Sequence, residues 1–106
     1  GLTEEQAIEQ GLKIKIGRFP FAYNGRAMSM GEVEGVVKVI IEQELNQVLG
    51  VHIIGPMATE LISTATYAIK GEFTCEEMAN YIIAHPTLSE CLKEAAMDCF
   101  GMAIHK

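Results

Sequence analysis

The chain has 106 residues, enough for one domain with its own core but not for two, and 49% of them are apolar against 21% charged. That balance excludes a disordered chain. A net charge of -6, with eight Lys plus Arg scattered along the sequence, excludes a basic nucleic-acid surface. No apolar run approaches the ~20 residues that cross a bilayer, and no signal peptide opens the chain. A cytoplasmic setting is therefore expected. With no initiator Met at its start, the chain is expected to be an excised or processed piece.

Cys75, Cys91 and Cys99 form no close pair. Cys91 and Cys99, on one helix, would lie about 12 Å apart at 1.5 Å per residue, too far for a disulfide. The spacings gather too few ligands for a metal site. The expectation is three buried free thiols in a reducing compartment.

In chain order, Thr3-Glu4-Glu5-Gln6 is a capping-box start and Gly11 a stop, predicting a short helix over 4–10. Residues 12–18 alternate Leu12, Ile14 and Ile16 with Lys13, Lys15 and Gly17, the pattern of a half-buried strand. Asn24-Gly25 is a turn signal, and 26–34 fit a loop or a short helix equally. Val36–Glu42 and Val48–Ile54 are β-branched runs joined by a polar segment, a hairpin. Val37, Val39 and Ile41 share one face, with Leu49, Val51 and Ile53 as the matching row. His52, in the second strand, reads as a tolerated strand residue, since no ligand-type side chain stands at coordination spacing.

After Gly55-Pro56, a helix spaces Ala58, Leu61, Ile62, Ala65 and Ile69 along one stripe and stops at Gly71. Thr74-Cys75-Glu76-Glu77 begins another, with Cys75, Met78, Ala79 and Ile82 on one side, ending before Pro86. The last helix is expected from Leu88 to Ile104. One stripe holds Leu88, Cys91, Leu92, Ala95, Ala96 and Cys99; a second holds Met97, Phe100 and Ile104, so cover is expected on both sides, by the sheet on one and by another chain on the other. Hairpin connectivity with segregated helices gives an α+β domain spanning 1–106: an antiparallel sheet, a hairpin plus further strands, with helices on one side.

The chemistry concentrates in His85-Pro86-Thr87-Leu88-Ser89-Glu90. Proline disfavours helical backbone at His85, while Thr87 and Glu90 form a capping-box pattern, so the imidazole sits at the mouth of a helix. Imidazole titrates near pH 6.5 and exchanges protons around neutrality. A carboxylate at Glu90 can fix its tautomer. Two readings stand on spacing alone: an acid–base pair, or a cap beside a turn histidine. No GxGxxG follows a strand, no phosphate-cradling loop or redox cysteine pair is present, and the ten glycines fall singly at turns. Whatever His85 acts on is supplied by another domain or chain.

HPTLSE resembles the C-terminal signature of the pyridine nucleotide-disulfide oxidoreductases, in the dihydrolipoamide dehydrogenase branch. The likeness covers nearly the whole chain: the opening GLTEEQA, Lys15 to Phe21, NGRA at 24–27, EGVVK at 34–38, LGVHIIGP at 49–56, Glu60-Leu61-Ile62 and the closing FGMAIH. The resemblance implies that the chain is an interface (dimerisation) domain, with the FAD- and NAD-binding domains and the redox disulfide lying upstream. It implies a homodimer in which His85, backed by Glu90, reaches the partner's active site. There it takes a proton from dihydrolipoamide, whose electrons pass through FAD to NAD. A lipoyl domain of a 2-oxo acid dehydrogenase complex is the implied partner. A cis His85–Pro86 bond is implied, as is a preceding strand without which a sheet edge lies open. The fragment alone is expected to bind no cofactor or metal and to have no turnover. A glutathione-reductase-like relative and a purely structural self-association module are the alternatives.

Overall fold

The computed structural model describes all residues, Gly1–Lys106. The Thr3 hydroxyl accepts the Gln6 N–H and the Gln6 side chain accepts the Thr3 N–H, so the predicted capping box opens α1 (Glu4–Glu9). β1 (Ile14–Pro20), β2 (Val36–Glu42) and β3 (Val48–Ile54) form an antiparallel sheet in the order β1-β2-β3. Both hairpin strands run between their predicted limits.

The register differs from strict alternation at one place. A bulge between Ile40 and Ile41 pairs Ile40 with Gly50 and Ile41 with Val48. One extra residue, Leu49, is therefore accommodated on β3, and Val48 takes the core place expected of Leu49. Phe19, Val37, Val39, Ile41, Val48 and Val51 form the inner face. Against it pack Leu61, Ala65 and Ala68 of α3 (Ala58–Lys70) and Cys91, Leu92 and Ala95 of α5 (Glu90–Asp98). Each large aliphatic so buried contributes about 1.5–3 kcal/mol. The sheet and α5 meet closely at Gly17: a Cβ there would come within 2.0 Å of the Ala95 carbonyl oxygen and 2.7 Å of the Cys99 nitrogen. Gly17 is thus the point that lets α5 lie against the sheet.

The other face is wetter but not bare. Ile40 is fully buried on it, Leu2 lies over Gly50, and Glu4 of α1 pairs with both Arg18 and Lys38. Ile14 and Ile16 are half-buried on that side, while Gly17 and Phe19 fill the inner face of β1. The fold is the expected α+β sheet with its main helices on one side, and α1 is a small cover on the other. His52 is structural, as expected: its Nε2–H donates to the Leu2 carbonyl at 2.9 Å and pins the N-terminal segment.

One open reading is decided and two helix limits depart from expectation. The ambiguous 26–34 stretch contains α2 (Gly25–Met30), which Asn24 caps after a 3₁₀ turn at Phe21–Tyr23. α4 (Cys75–Asn80) has the predicted Thr74–Glu77 capping box but stops at Asn80, where Tyr81 turns extended. Ile82 therefore leaves the stripe and is 98% exposed. α5 spans Glu90–Asp98, shorter than the predicted 88–104. Gly101, at φ 69°, ends the turn after it, and Met102 N–H closes back on the Met97 carbonyl. The first stripe of α5 is buried throughout; of the second, Met97 and Phe100 are half-buried and Ile104 is exposed. All three cysteines are free and buried, and no helix is long and apolar enough to cross a membrane. Burial, with the Glu90 and Glu94 charges adding, pushes the Cys91 thiol up to about 12, and contact with Cys99 and burial push Cys75 up as well.

Candidate functional site

The 81–89 loop owes its shape to a few side-chain bonds. Thr87 donates its hydroxyl to the Ala84 carbonyl at 2.7 Å and its N–H to Glu90 Oε2 at 2.9 Å. This is half of the predicted capping box: the carboxylate reaches back as expected, but the Thr87 hydroxyl turns to Ala84 instead of capping the helix. α5 accordingly starts at Glu90 and not at Leu88. The His85–Pro86 bond is cis, as the resemblance implies.

His85 Nδ1 stands 2.8 Å from Glu90 Oε1. A carboxylate only accepts, so Nδ1 carries the proton and Nε2 is left as the free ring nitrogen. The His85 side chain is 70% exposed while that of Glu90 is 21% exposed, so the base faces out and its anchor is set in the wall. Burial of Glu90 opposes ionisation, but the Thr87 N–H and the His85 ring outweigh it and hold the carboxyl below the ordinary carboxylate range. The pair can accept a proton at Nε2 and stabilise the imidazolium through Glu90.

Two supporting features were not legible as site residues. Asn24, 4% exposed, accepts the Ala27 N–H at 2.9 Å and donates from Nδ2 to the Thr87 carbonyl at 3.0 Å. It thereby ties the cap of α2 to the histidine loop, 63 residues away. Asn24-Gly25 signalled only a local turn. Glu94 holds His105 through Nδ1 at 2.8 Å, on the same cavity as His85 and Glu90. Nothing in the spacing signalled that pair, because the helix breaks between its members.

No dinucleotide-binding motif is built here. The three strands are all antiparallel, with no βαβ unit, and no glycine-rich strand-to-helix turn offers its N–H groups to a phosphate. The domain carries no nucleotide-binding motif of its own, and the candidate chemistry is that of the imidazole. No group of side chains is arranged to hold a metal ion.

Solved structures give the class. The chain superposes on a HOCl-induced flavoprotein disulfide reductase of Escherichia coli with a TM-score of 0.85 at 29% identity, over 91% of this chain and 22% of that one. It superposes on LpdA of Mycobacterium tuberculosis with a TM-score of 0.83 at 26% identity, over 91% and 21%. The architecture is the interface-domain fold of disulfide reductases. Sequence makes this particular. Residues 1–96 match the pyridine nucleotide-disulphide oxidoreductase dimerisation domain, and the chain belongs to that family. It is 49% identical to the mitochondrial dihydrolipoyl dehydrogenase of Schizosaccharomyces pombe, over 99% of this chain and 21% of the relative. Against the mitochondrial dihydrolipoyl dehydrogenase of Pisum sativum the identity is 46%, over 99% and 21%. Against leghemoglobin reductase of Glycine max it is 47%, over 94% and 19%. The chain spans about a fifth of the length of these relatives.

Proposed function

We propose that the chain is the C-terminal dimerisation domain of a dihydrolipoyl dehydrogenase and supplies His85 and Glu90 as the acid–base pair of the partner subunit's active site. The observation that carries this is the division of the ring: Nδ1 fixed by Glu90 at 2.8 Å, Nε2 free on a mostly exposed side chain. Nε2 takes the proton of a dihydrolipoamide thiol, leaving the thiolate that attacks a disulfide, and Glu90 balances the imidazolium while that charge lasts. FAD and NAD, bound by other domains of the parent, carry the electrons onward. The lipoyl domain of a 2-oxo acid dehydrogenase complex is the partner that would deliver the thiol. This domain alone, with neither flavin nor disulfide, has no turnover. Three buried free thiols support a reducing compartment, the cytoplasm in the simplest case.

In the full-length enzyme, His85→Ala lowers the rate of NAD reduction by dihydrolipoamide roughly 10²–10⁴-fold, the range for a positioned acid–base group. Glu90→Gln costs about 10–100-fold by loosening the ring. Unchanged steady-state rates in both variants would remove the role. A related disulfide reductase is the second reading, supported by the fit to the Escherichia coli disulfide reductase. A stronger loss with glutathione disulfide than with lipoamide substrates would favour it. A purely structural self-association module is supported by the exposed Tyr67, Tyr81 and Ile82, and it predicts that His85→Ala changes no rate.

A further inference from the structure

Glu90 and Glu94 are one helical turn apart on α5, so their carboxylates lie on the same side of it. Each holds a histidine by Nδ1 at 2.8 Å, Glu90 holding His85 and Glu94 holding His105. All four line one cavity of about 120 Å³, room for a few waters. The Glu94 side chain is 7% exposed, and every donor it receives comes from the chain end: the Ile104 N–H at 2.8 Å, the His105 N–H at 3.4 Å and the His105 ring. A carboxylate so buried is costly unless paired. The chain end is therefore fastened where it brings a second imidazole to the wall that carries the first.

We propose that His105 is a positioning residue of this site, whose charge, set against Glu94, governs how readily His85 takes up a proton. The inference rests on the reading of His85 given above. At Glu90, burial opposes ionisation, while the Thr87 N–H, the His85 ring and, least, the His105 ring favour it. Tyr23, from the 3₁₀ turn, is the remaining titratable group lining the cavity. Lys106 is engaged by Asp98 at 2.9 Å, and Arg18 gives its backbone N–H to the same carboxylate. No Lys or Arg lines the cavity, so His105 is the one cation besides His85 itself that can form there.

The sign follows from like charge. A protonated His105 disfavours imidazolium at His85, and its removal leaves Glu94 to favour it. Ring signals of His85 followed against pH in the full-length protein, with ¹³C-labelled histidine, read this directly. His105→Asn moves the half-titration of His85 up, because the facing cation is lost while the Glu94 carboxylate stays. His105→Lys, which keeps the cation, leaves it at or below the wild-type position. Glu94→Gln, which leaves His105 unbalanced, moves it down. The acid limb of kcat/KM shifts in the same directions. An unmoved His85 curve in His105→Asn, or His105→Lys moving it as His105→Asn does, overturns the proposal. The titration reads the coupling whether or not His85 transfers a proton, so failure of the catalytic reading, seen as full turnover in His85→Ala, is a separate result.

Discussion

His52 on β3 and His85 on the 81–89 loop each commit one ring nitrogen to a protein oxygen, at 2.9 and 2.8 Å. The oxygens differ. His52 donates to a neutral backbone carbonyl in a half-buried place on the sheet, where the bond fixes the N-terminal segment. His85 donates to a carboxylate, and the rest of its ring stands in solvent. A carbonyl fixes a tautomer; a carboxylate fixes the tautomer and also stabilises the charge that proton uptake creates. The setting decides as much as the partner. The sheet holds His52 still and ties down a chain, whereas the loop holds His85 by one nitrogen and leaves the other without a partner.

The largest expected effect on this comparison is the loss of rate in His85→Ala, which keeps the fold and removes only the offered nitrogen. Next is Asn24→Ala. It strips the cap of α2 and leaves the Thr87 carbonyl without its buried donor, so thermal unfolding should show a loss of about 1–3 kcal/mol. Turnover of the folded full-length enzyme should also fall several-fold, because the loop that aims His85 is loosened. Equal stability and rate would show that the loop is held without α2. Smallest is His52→Gln, expected to cost about 0.5–1.5 kcal/mol in unfolding, the worth of one hydrogen bond. Its rate per folded enzyme should be unchanged, and a loss there would erase the distinction between the two histidines.

The hairpin was legible to its ends because β-branched runs and a polar break state both strands locally. The caps at Thr3 and Thr74 were legible for the same reason, since each bonds within three residues. The pairing of His85 with Glu90 was legible as a spacing, and the bond matches it. What escaped depends on distant partners. The bulge at Leu49 is a property of two strands together, and it exchanges Val48 for Leu49 in the core. α5 ends before its apolar period does, because that period continues past Asp98 while Gly101 and the bonds of Glu94 to Ile104 and His105 turn the chain back. The early end of α4 at Asn80 is not legible, because nothing between Asn80 and Pro86 breaks the pattern locally. Asn24 carries a turn signature and a cap, but its bond to Thr87 belongs to the folded molecule alone.

The central claim is that the proton-accepting nitrogen of one subunit serves the disulfide of the other. Coexpression of a full-length His85→Ala chain with a full-length chain lacking the redox disulfide tests it, since neither homodimer exceeds the residual rate of His85→Ala. Service across the subunit contact predicts that equal mixing restores about a quarter of wild-type activity, with one working site in the half of the dimers that are mixed. Mixed dimers as inactive as both parents would contradict the account, because His85 would then serve only the site of its own chain.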